Sequence, residues 1–107
     1  MTQRTNLQLR SLVKKSGELE VSLVDTPLPA PGPDEVLIRV EAAPINPSDL
    51  GLLFGLADMR GAQASVDAAG RPVVTARLPE GPGMRAMASR LHQSMPVGNG
   101  GAGTVVV

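Results

Sequence analysis

Residues 36–50 read VLIRVEAAPINPSDL, and within them Val36, Ile38, Val40 and Ala42 alternate with Leu37, Arg39 and Glu41. Successive side chains of an extended chain point to opposite faces. The spacing therefore predicts a strand over residues 36–42 with one apolar face toward a core and most of the other toward water. Pro44 and Pro47 end it, since proline has no amide to give a ladder. Ser48 then stands where its hydroxyl can accept a backbone N–H and cap a helical turn through Asp49, Leu50, Leu52 and Leu53.

Toward the N-terminus, residues 6–13 and 18–25 read as two short strands joined through Lys15-Ser16-Gly17, whose glycine suits a tight reversal. Leu7, Leu9 and Val13 alternate like a strand. That favours the hairpin over a basic amphipathic presequence, although Arg4, Arg10, Lys14 and Lys15 all precede the first acid, Glu18. Residues 26–34, TPLPAPGPD, contain Pro27, Pro29, Pro31 and Pro33 and are expected to be an extended loop.

Downstream, residues 55–70 are alanine-rich with poor amphipathic contrast, which leaves a short helix and a surface excursion both open. Residues 72–78 read as a strand, ended by the turn-rich Pro79-Glu80-Gly81-Pro82-Gly83. Met84, Met87, Ala88, Leu91 and Met95 recur at helical spacing and predict a short amphipathic helix, its methionines filling a core. His92 falls beside that stripe and is expected in water. Arg85 and Arg90 suit either a solvated face or a cofactor phosphate. Thr104-Val105-Val106-Val107 is a strand pattern with no following turn.

The 107 residues make one domain at most, burying roughly two thirds of the surface the unfolded chain exposes. Ten Lys+Arg balance ten Asp+Glu, and Phe54 is the single aromatic, so neither phosphate attraction nor base stacking has a source. Nucleic acid is an unexpected partner. Cysteine is absent, which excludes disulfides and thiolate metal ligands within the chain. No apolar run approaches the roughly 20 residues that cross a bilayer, so no membrane partner is expected and a cytoplasmic location fits.

Gly98, Gly100 and Gly103 match the letters of the dinucleotide fingerprint G-x-G-x-x-G. That mechanism needs a strand before, a helix after and an acid about 20 positions on. Here a β-branched run follows, so the glycines read as a bend where one backbone passes close to another.

Taken together, VLIRVEAAPINPSDL and GNGGAGTVVV (residues 98–107) resemble the N-terminal, GroES-like domain of the medium-chain dehydrogenase/reductase family, in its zinc-free quinone oxidoreductase-like branch. The resemblance implies a mainly β fold with short helices, a partly open GroES-like β-barrel, truncated. The parent is then an α/β enzyme whose Rossmann domain, absent from these residues, holds NADPH. Zinc-bearing members place cysteine, histidine and glutamate where this chain has Asn46, Asn99 and Gly100. Neutral amides are poor zinc ligands, so no metal is expected.

A carbonyl oxygen gaining charge without a Lewis acid needs hydrogen-bond donors. The resemblance makes Asn46 and Ser48 the candidate catalytic residues and adds Asn99 as a third side chain of the substrate cleft. Asn46 and Ser48 also read as ordinary turn and cap residues, and Asp49 as a helix-terminus acid. Relatives that reduce enoyl thioesters carry a tyrosine where Leu52, Leu53 and Phe54 stand. That departure favours a quinone or similar conjugated carbonyl as the small-molecule substrate. The implied function is thus the N-terminal part of a zinc-independent, NADPH-dependent oxidoreductase, a possible homodimer at full length and inactive as these residues alone. A stand-alone GroES-like binding or assembly module without catalysis is the alternative.

Overall fold

A computed structural model describes residues 4–81, 85, 87–98 and 100–106. The fold is mainly β. The first hairpin forms as the alternation requires: β1, Thr5–Val13, and β2, Glu18–Pro27, pair antiparallel from Thr5↔Pro27 to Val13↔Leu19. At its turn, the Gly17 N–H donates to the Lys14 carbonyl at 3.0 Å and Gly17 takes φ +89°, a conformation that costs other residues a Cβ clash. In this register Leu9, Ser11 and Val13 share one face with Leu19 and Val21. That face carries the core.

The remaining strands are β3, Ile38–Ala42; β4, Asp58–Val66; β5, Pro72–Arg77; β6, Met95–Pro96; and β7, Ala102–Val105. A helix, α1, spans Pro47–Phe54. The five-stranded sheet runs β4-β5-β2-β1-β6, while β3 and β7 form a separate antiparallel ribbon. No barrel closes. The core gathers Val13, Leu19, Val21, Leu78 and Met87, with Leu9, Leu53, Phe54, Val74 and Leu91 packed around them. It lies between the hairpin and the cover provided by α1 and residues 87–91.

Several expectations change. The apolar alternation of residues 36–42 does give a strand, but β3 is exposed along its whole length, Val40 at 62% and Ile38 at 48%. Its one ladder partner is β7, and no layer covers either face among the described residues. The helix starts at Pro47, with Asn46 rather than Ser48 as its N-cap. Asn46 is the extended residue at the N-cap, Pro47 occupies the first turn where its missing N–H costs nothing, and Ser48 is already helical and exposed.

Residues 55–70 are neither helix nor loose excursion, because residues 58–66 form β4, paired to β5 across a turn at residues 67–71. Asp67 builds that turn: its Oδ1 accepts from the N–H groups of Ala69 at 2.9 Å and Arg71 at 3.0 Å. Of the predicted helix of residues 84–95, Arg85 is helical, but Ala88–Arg90 form a 3-10 turn and Met95–Pro96 form β6. Leu91 bridges Val13 in parallel, the His92 N–H donates to the Val13 carbonyl at 2.9 Å, and His92 is left-handed at φ 59°. These bonds turn the chain out of a helix. Met84 lies outside the described residues, whereas Met87 does fill the core.

Candidate functional site

β3 and β7 bring the two motif segments together. Ile38 pairs with Val105, Arg39 with Thr104, and Val40 with Gly103, with a register shift before Ala42↔Ala102. Glycine is required at position 103, since a Cβ there would fall on the Arg39 carbonyl. Gly100 lies against Pro44, a Cβ on it reaching within 3.3 Å of the proline ring, and Gly98 turns at φ +100°. The glycines therefore work as the bend and close approach that the sequence suggested, with a strand after them instead of a phosphate-binding helix.

Where the segments meet, a cleft of about 470 Å³ opens. Ala43, Pro44 and Ile45 form one wall, Leu50, Leu53 and Phe54 of α1 the next, and Leu9, Val97 and Gly98 the floor and far side. Asp49 is the single ionisable group on its lining. Its carboxylate is already engaged, accepting the Asn46 N–H at Oδ2 over 2.9 Å, and its own N–H donates to the Asn46 carbonyl at 2.9 Å. An acid at the third helical position bonding back to the N-cap amide is half of a capping box. The cleft is thus apolar, with its carboxylate held at a helix start.

The sequence-predicted residues fall unevenly around it. Asn46 is half-buried at the cleft's edge through its backbone role as N-cap, while the lining itself is contributed by Ile45 and Asp49 on either side. Ser48 faces solvent and is outside the lining. Asn99 lies outside the described residues; of its neighbours, Gly98 lines the cleft and Gly100 lies against Pro44. Leu53 and Phe54, noted in the sequence for replacing a tyrosine, do line the cleft. Leu9 and Val97 were missed as site residues. Leu9 was visible as a core-side position of the first strand, but nothing in Ser94-Met95-Pro96-Val97 announces β6 or its place beside β1.

Arg90 has a different position from the solvated or phosphate-facing one expected. Its Nη2 donates to the Leu52 carbonyl at 2.6 Å and to Ser11 Oγ at 3.0 Å, so the guanidinium caps the C-terminal end of α1. A cation there meets the negative pole of the helix. Burial nevertheless pushes its pKa below the ordinary arginine value, and among the described residues Nε finds no partner. Fully buried Ser11 completes the arrangement by donating its hydroxyl to the Leu53 carbonyl at 2.9 Å.

Among the described residues no group of three or more His, Asp or Glu side chains is arranged to hold a metal ion, and no helix is long and apolar enough to cross a membrane. No family model matches the chain.

Proposed function

We propose that this chain supplies the substrate-side wall of a zinc-independent, NADPH-dependent oxidoreductase that acts on quinones or related conjugated carbonyls, with the coenzyme held by a separate domain. One observation carries the reading: Pro44 and Ile45 from the first motif and Gly98 from the second line the same apolar cleft. A flat, weakly polar ring system buries its area well against Leu50, Leu53 and Phe54, and such pockets orient ligands through few polar groups. In this reading Asn46, at the cleft's edge, donates to the carbonyl oxygen as it gains charge, and the resemblance assigns Ser48 and Asn99 to the same set of donors.

The alternative, a GroES-like binding or assembly module without catalysis, is favoured by a specific feature. The cleft's one carboxylate is committed to a helix cap, leaving no free general acid or base on the lining.

The two readings separate in one titration series. Adding 1,4-naphthoquinone to the isotopically labelled chain is expected to shift the amides of Ile45, Leu50 and Gly98, and adding NADPH is expected to shift none. Micromolar NADPH binding contradicts the separate coenzyme domain. Absence of any quinone-induced shift at the three amides removes the oxidoreductase reading and leaves the module.

A further inference from the structure

A second cleft, of about 500 Å³, lies between the start of β1 and the β3–β7 ribbon. Its apolar wall is made by Leu7, Leu28, Leu37, Ile38, Val40 and Val106. Its charged groups are Arg4 and Arg39, and no acid lines it. Both sides are stitched by backbone bonds, the Leu28 N–H donating to the Arg4 carbonyl at 3.0 Å and the Val106 N–H to the Leu37 carbonyl at 2.8 Å. The Thr26 hydroxyl adds a bond to the Asn6 carbonyl at 3.1 Å.

Nearby acids are occupied. Asp25 pairs with Arg71 at 2.7 Å, Glu41 accepts from the Thr104 hydroxyl, and Glu35 accepts the Gly32 N–H at 2.8 Å. Among the described residues neither Arg4 nor Arg39 has an ion-pair partner. Two arginines at a groove that is half apolar, with Thr5 and Asn6 as its neutral polar lining, are complementary to an anionic head on a hydrocarbon chain. Guanidinium donors fit the planar fork of a carboxylate better than a point charge does. The volume lies in the range of small-molecule sites.

We propose that this cleft binds an alkyl carboxylate, its head on Arg4 and Arg39 and its chain along Leu28, Leu37 and Val106. The site is independent of the Gly98 cleft and of the oxidoreductase reading. Apolar burial sets the affinity through chain length, and the arginines set the preference for an anion.

The test titrates decanoate, below its micelle-forming concentration, into the chain and follows backbone amides. Expected are saturable shifts at Thr5, Leu28, Ile38 and Val40, and binding that tightens about two- to fourfold per added methylene. The double variant Arg4→Gln/Arg39→Gln, with circular dichroism unchanged, is expected to bind about three- to fivefold or more weakly. Raising the salt is expected to weaken decanoate binding but not decanol binding. As a second variant that leaves the charges in place, Leu28→Ala is expected to flatten the chain-length dependence. The proposal is overturned if decanol or decylamine binds as tightly as decanoate, or if the double variant binds unchanged. It is also overturned if the shifts fall at Ile45, Leu50 and Gly98 instead, or if an acidic leucine-rich peptide occupies the cleft while decanoate does not.

Discussion

Lys14 leaves β1 with its ammonium against the Glu20 carboxylate, and the hydrogen bond, then the charge, holds its proton above the ordinary value of 10.5. Folding therefore tightens that proton, so the stabilisation is complete below pH 10.5 and is lost as pH rises through the folded value. Partial exposure keeps the gain to a few tenths of a kcal/mol. Urea denaturation from pH 8 to pH 11 checks this: Lys14→Met is expected to be slightly less stable at pH 8, with the gap closing toward pH 11. Ser11 is a larger matter. Its hydroxyl bonds the Leu53 carbonyl and receives Arg90, all at a site closed to water. Ser11→Ala leaves both partners short of a bond, and a loss of about 1–3 kcal/mol is expected in denaturant midpoints at unchanged slope.

At the scale of elements, the hairpin and the ribbon behave differently. Leu19→Ala, at 1% exposure beneath α1, is expected to cost about 2–5 kcal/mol. Val40→Thr, on a strand exposed along its length, is expected to stay within about 0.5 kcal/mol, as thermal unfolding of the two variants would reveal. Gly103→Ala is the sensitive change in the ribbon, because its methyl collides with the Arg39 backbone. It is expected to erase the amide protection of Arg39 and Val106 while leaving β1 and β2 intact in hydrogen exchange.

These contrasts trace what the residues alone could reveal. The hairpin was legible because Leu9 and Val13 alternate on a face that is really buried, and β5 because Val73 and Val74 stand between turn signals. β3 was legible as a strand but not as an exposed one, since alternation records which side is apolar and not whether anything covers it. β4 was hidden because its alanine, glycine, glutamine and serine give no contrast, although the Asp67 to Gly70 turn was a usable hairpin sign. The methionine spacing misled because an irregular segment can bury Met87 and Leu91 as well as a helix can. Of the site, Pro44, Ile45 and Gly98 belong to the two segments singled out in the sequence, whereas Leu9 and Val97 reach the cleft only through sheet order, which no local pattern encodes.

As a whole the molecule is extended for its length. Its radius of gyration is 16.0 Å, against about 13 Å for a compact chain of this size, and its surface is 7466 Å², against about 5,700 Å² for a folded monomer of its mass. The excess resides in β3, β4 and β7, whose residues are exposed throughout. Native-state exchange is accordingly expected to fall in two classes, slow in β1, β2 and the β2-facing amides of β5, fast in β3, β7 and the outer edge of β4. A single exchange class across all strands would contradict that division. The Ser11 hydroxyl sits at the far end of the same logic. It joins residues 42 and 79 positions away in the chain, so the loops it closes are long and the fastening is assembled late, after the local hairpin has formed. A late fastening governs escape more than arrival: its loss should quicken unfolding while leaving the refolding rate nearly untouched.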